Sequence, residues 1–135
     1  MNQVIEDEME ILWSDFEDYD VDQKLEAFER LKASVTEGDL PRLVELLKSE
    51  RNDFWVRELL SDPISDLGGT KYLLELFDAL ELNEREGHDN DGFNHCLTEI
   101  AWSDPKGCKK ELASLLAQPN FRHREVAEWL LTFCE

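Results

Sequence analysis

The segment with the residue types of a site is Glu86-Gly87-His88-Asp89-Asn90-Asp91-Gly92. Asp89, Asn90 and Asp91 offer oxygens in a tight turn, and Gly92 permits a sharp bend. Calcium loops use such residues. The EF-hand register fails, however. With Gly92 at the sixth position, the first is Gly87 and the twelfth is Thr98, and neither carries a carboxylate. An Asx-rich turn, with Asn90 or Asp91 capping the helix that follows, accounts for the segment more simply. A polar loop between helices is also where partner-binding groups are displayed.

His88, His95 and Cys96 raise the question of zinc. His95 and Cys96 are adjacent, so on a helix they point about 100° apart and do not converge. Structural zinc sites show cleaner paired spacing. The cysteines Cys96, Cys108 and Cys134 are odd in number and form no CxxC pair, so no disulfide framework is expected. Cys96 and Cys108 fall on apolar faces, where a free thiol behaves as a small hydrophobe. No serine sits in a nucleophile elbow, and no glycine-rich loop follows a strand. His123, between Arg122 and Arg124, is expected to be solvated. The reading is of a protein with no catalytic residues, no metal and no cofactor.

Charge bounds the partners. The net charge is −18. Nine acids precede the first base, Lys24, and a second acidic stretch from Glu75 to Glu99 is interrupted only by Arg85. Such a field repels nucleic acid and anionic membranes and attracts basic proteins. The plainer alternative is that the charge only keeps the chain soluble. No run approaches the roughly 18 apolar residues of a membrane span. The acidic Met1–Glu10 segment does not read as a secretory signal, so a cytoplasmic location is the default expectation.

The elements that would position these groups are all helical. Ile5, Met9, Leu12 and Phe16 make one stripe. Asp20 with Gln23 forms a capping box, and Leu25, Phe28, Leu31 and Val35 follow as a buried face. Gly38 is expected to end that helix. Asp39-Leu40-Pro41 starts a third, and Asn52-Asp53 caps a fourth. Pro63 lies inside the fourth and is expected to kink or split it before Gly68-Gly69 stops it. Thr70 is expected to cap a fifth helix. Phe93, Leu97, Ile100 and Ala101 mark the sixth, Asp104-Pro105 opens the seventh, and Val126, Leu130 and Phe133 mark the eighth. No stretch alternates at period two, so no strand is expected.

Two stretches recur. Trp55-Val56-Arg57-Glu58-Leu59-Leu60 and Arg122-His123-Arg124-Glu125-Val126-Ala127 each open a helix after an Asx residue. Each follows a short amphipathic helix, over residues 40–48 or 106–117. A recurring helix pair is the mark of an α-solenoid. Pairing the third helix with the fourth, the fifth with the sixth and the seventh with the eighth gives units of roughly 30–35 residues. The expected architecture is one all-α domain over residues 1–135. Residues 1–37 form an N-terminal helical cap, and residues 38–135 form about three helical hairpins.

Three passages carry a family resemblance. They are Leu59 and Ile64-Ser65-Asp66-Leu67-Gly68-Gly69 through Leu73-Leu74 to Leu80, then Gly87–Gly92, then Glu125-Val126-Ala127-Glu128-Trp129-Leu130-Leu131. Together they resemble small bacterial HEAT-like repeat proteins over about the C-terminal two thirds. The resemblance implies a scaffold or adaptor, and in some bacterial members an immunity protein to a toxin.

The expected function is therefore non-enzymatic binding of a basic protein. Glu84, Glu86, Asp89 and Asp91 are the expected contacts, with Trp55, at a helix start, as the tryptophan expected to be partly exposed. Arg57, Asn94 and Arg124 stand on the alternative concave face. The rival classes are a helical-repeat lyase or glycosylase and a metal-dependent regulator built on residues 86–92. Against a nucleic-acid enzyme, only Lys106, Lys109, Lys110, Arg122 and Arg124 approach a basic cluster.

Overall fold

The structure is a computed structural model that describes residues 2–134. It contains eight α-helices: α1 (Gln3–Trp13), α2 (Val21–Ser34), α3 (Leu40–Leu47), α4 (Phe54–Gly68), α5 (Leu73–Arg85), α6 (Asp91–Ser103), α7 (Pro105–Leu116) and α8 (Arg124–Leu131). Short 3-10 turns at Glu37–Asp39 and Gly69–Tyr72 connect α2 to α3 and α4 to α5. Among the described residues there is no strand.

Local chemistry sets most of the boundaries. The Asp20 and Gln23 side chains close a capping box at the start of α2. Asp53 accepts from the Val56 N–H at the start of α4, and Asp104 from the Gly107 N–H at the start of α7. Pro41 and Pro105 lie in first turns, where the missing N–H has no intrahelical partner to lose. Helix α4 ends at Gly68, and Gly69 follows with φ 53°, a left-handed backbone that a Cβ would strain.

Several expectations are corrected. Helix α4 runs unbroken through Pro63, which is buried. Proline costs α4 one ladder bond without splitting it, because the packing around Leu60, Ile64 and Pro63 holds the turn. Gly38 does not end α2, which stops at Ser34; Gly38 lies in the following 3-10 turn. Thr70 lies within the second 3-10 turn and does not cap α5.

The buried face of α2 is Lys24, Ala27, Phe28 and Leu31, while Leu25 is exposed. Lys24 is inside because its ammonium donates to the carbonyl oxygens of Leu12 and Ser14 at the end of α1. Phe16 is not part of the α1 stripe. It lies past the helix, exposed, with the Lys24 ammonium 3.9 Å from its ring centre.

One apolar core runs through all eight helices, from Ile5, Met9 and Leu12 to Leu112, Ala127 and Leu130. Helices α1 and α2 form a hairpin. Helix α4 packs on α3 and on α6, and α6 packs in turn on α7 and α8. The contact of α5 with α6 is slighter than that of α4 with α6. Ion pairs tie the N-terminal hairpin to the rest: Arg42 to Glu6 at 2.6 Å, and Lys32 to Asp62 at 2.8 Å.

Candidate partner-binding surface

The start of α4 is a polar seam inside the fold. Asn52, just outside the helix, is buried. Its amide donates to the Leu46 and Leu47 carbonyls at 2.7 and 3.1 Å, satisfying the end of α3. Its Oδ1 accepts from the Trp13 indole N–H at 2.6 Å. One turn on, Arg57 is also buried. It donates to Asn83 Oδ1 at 2.6 Å, to the Asn52 carbonyl at 3.3 Å and to the Glu86 carboxylate. Arg57 is therefore an internal clasp between α4 and the end of α5, and it is not available on a concave face. A buried guanidinium needs these partners, because an unpaired one would be expensive to desolvate.

Residues 86–92 are folded back onto that seam. Glu86 holds Arg57, and the ring of His88 stacks on Phe54 with centres 3.6 Å apart. The Asn90 amide donates to the Leu80 carbonyl at 3.4 Å. Asp89 Oδ1 accepts from the Asp91 N–H at 3.3 Å, an Asx turn at the head of α6. Gly87, at φ 81°, makes the reversal. Glu84, Asp89 and Asp91 are exposed and form no ion pair among the described residues, whereas Glu86 is already committed.

The Glu58 carboxyl lies against Gly92, where a Cβ would sit 3.3 Å from its carboxyl carbon. Burial, then the charges of Asp89 and Asp91, push its pKa above the ordinary carboxylate value, against a smaller pull from His88. Among the described residues no three His, Cys, Asp or Glu side chains group as metal ligands. His95 pairs with Glu99 at 3.2 Å, and Cys96 meets Ser61 at 3.5 Å, so His88, His95 and Cys96 have separate partners.

The start of α8 carries a second seam. His123 is buried, contrary to the expectation that it is solvated. Its Nε2 is 2.7 Å from Asp78 and its Nδ1 3.4 Å from Glu81, two carboxylates one turn apart on α5. Arg122 joins Glu81 at 3.2 Å. Arg124 is exposed and donates to the Leu116 and Gln118 carbonyls at 2.8 and 3.3 Å, capping the end of α7.

Trp55 is half-buried, with Phe16 at 6.0 Å, so it is partly exposed, but two other tryptophans are more open. Trp102 is 60% exposed and Trp129 36%. Both pack edge-on to Phe133, at 6.1 and 5.1 Å, forming an aromatic face across the ends of α6 and α8. Beside Trp129 a cleft of about 450 Å³ opens, lined by Glu81, Glu84, Asn94, Arg122, His123 and Glu125 among others, with Arg122 already held by Glu81. Of the eight expected contacts, only Glu84 and Asn94 come together here. This face was missed because Trp102 and Trp129 sit at helical spacing beside core positions, and spacing alone reads them as core edge.

The thiols are quiet. Burial, reinforced by the neighbouring Cys134 sulfur, pushes Cys108 up to about 12, and burial also raises Cys96. Both remain protonated at neutral pH and are poor nucleophiles. No family model, no curated protein and no solved structure matches the chain.

Proposed function

We propose that the protein is a non-enzymatic interaction module, a HEAT-like stack of helical hairpins that binds a basic protein. The repeat reading is supported by the direct packing of α4 on α6 and of α6 on α8, since second helices of successive hairpins stack that way in solenoids. The observation that carries the functional reading is the distribution of charge. Arg30, Arg42, Arg51, Arg57 and Arg85 are each paired to a glutamate of the same chain. Glu84, Asp89, Asp91 and Glu125 pair with no base among the described residues. The net charge of −18 is therefore projected outward, where it speeds encounter with a positive surface. An inhibitory or immunity-type protein for a basic toxin or enzyme is the sharper form of this reading.

Affinity capture followed by titration of the purified partner tests it. The partner is expected to be basic, with an association rate that falls steeply as salt rises while dissociation changes little. An association rate indifferent to salt would overturn the electrostatic reading.

A further inference from the structure

We infer that the aromatic face of Trp102, Phe133 and Trp129 docks an amphipathic helical segment of a basic protein, with one Lys or Arg of that segment entering the adjoining cleft. This rests on the basic-partner reading above and gives it a place and a polarity. Trp129 belongs to both features: it packs on Phe133 at 5.1 Å and lines the cleft. An apolar ring beside unpaired carboxylates suits a side chain with an apolar stem and a cationic tip.

The carboxylates divide by availability. Glu81 is engaged by Arg85, Arg122 and His123. Glu84 and Glu125 have no ion pair among the described residues and remain to receive the cation. At the opposite end of the face, Ser103 borders a groove lined by Lys106, Lys109 and Asp104, whose carboxylate is occupied by the Gly107 N–H, so the balance there is basic. Charge therefore orients the docked segment, with its basic end toward Trp129 and away from Trp102.

A second copy of the chain is a poor occupant, since two bodies of −18 repel. An anionic lipid or nucleic-acid surface meets the same field. Two tryptophans held open at one face are the residue type that dominates interface energetics.

The test uses three labelled synthetic peptides of equal length: a Leu–Lys amphipathic helix, a Leu–Glu helix and an oligolysine without apolar residues. Fluorescence anisotropy against the full chain should show the Leu–Lys helix binding most tightly. Trp102→Ala with Trp129→Ala, and separately Glu84→Lys with Glu125→Lys, should each weaken it about tenfold or more. Glu17→Lys with Asp18→Lys, the same charge change far along the chain, should shift it less than about threefold. Circular dichroism checks the fold of each variant, and the exposed glutamate pair serves if the tryptophan pair unfolds.

Equal losses from both charge reversals, or no loss from the tryptophan changes, would overturn the docking face and leave the basic-partner reading standing. Equal binding of the Leu–Lys and Leu–Glu helices, or no binding of Leu–Lys or oligolysine, would overturn both.

Discussion

Arg57 and Arg124 hold the same place in the two recurring stretches, and the fold uses them in opposite ways. Arg57 is buried, with 3% exposure, and its guanidinium fastens Asn83, the Asn52 carbonyl and Glu86. Arg124 is exposed and does no more than donate to the last carbonyl of α7 and to the Gln118 carbonyl in the turn after it. In the second stretch the buried base is one residue earlier, His123, facing Asp78 and Glu81. The difference comes from the preceding element. Before α4, Asn52 and Trp13 roof the seam, and the end of α5 brings Asn83 beneath it. Before α8 the chain turns at 117–123, so α8 begins only at Arg124 and the first inward position falls to His123. A charge in the same local sequence is thus structural in one place and peripheral in the other.

The largest effect should separate the two arginines. Arg57→Ala strips buried partners of their donor and should cost about 3 kcal/mol. Arg124→Ala should cost less than about 1 kcal/mol, since the carbonyls it caps are solvated. Urea melts of both variants check this, and equal losses would erase the distinction between the two starts.

A smaller effect tests whether the first seam acts as a unit. Asn52→Ala removes the acceptor for Trp13 and the donor for two α3 carbonyls, and should cost about 2 kcal/mol. Combined with Arg57→Ala it should cost less than the sum, because the Asn52 side chain, tied to the end of α3, holds in place the main-chain carbonyl to which Arg57 donates. A double-mutant cycle in urea reads the coupling, and strict additivity would mean two independent sites.

The smallest effects should have opposite signs with pH. Glu6 is held below the ordinary carboxylate range, mainly by its hydrogen bond to Arg42. Its contribution is present above the unfolded-state value and is lost as pH falls through the lowered one. Glu58, beside the first seam, is raised instead. The folded state then holds its proton more tightly, so its contribution declines as pH rises from the unfolded-state value to the raised one. Thermal melts across the acid range should therefore show Glu6→Gln flattening the loss of stability toward low pH. Glu58→Gln should flatten the decline on the other side. If both changes alter the profile in the same direction, the environments assigned to the two carboxylates are wrong.

The legibility of this chain divides by the kind of residue. Asp20, Asp53 and Asp104 could be read as caps because capping is settled within one turn of backbone. Spacing likewise marks Met9, Leu12, Phe93 and Leu97 as core. Polar residues were less legible. Nothing in the local sequence marks Lys24 or His123 as buried, and both are, because carbonyls or carboxylates from other segments meet them. Trp102 and Trp129 are the reverse case: each lies beside core positions at helical spacing, yet both are exposed.

What the sequence determined by itself was therefore the helical composition, most helix starts, the apolar stripes and the sign of the field. Each follows from periodicity, capping chemistry or a sum of charges, and none needs a long-range partner. The tertiary structure alone decided that α6 lies chiefly on α4, that Arg57 is an internal clasp, that Glu86 is spent on it, and that Trp102, Phe133 and Trp129 share one open face. Those outcomes depend on which surfaces meet across the fold. A polar or aromatic side chain is inside or outside according to whether a distant segment supplies its partner, and local sequence does not encode that distance.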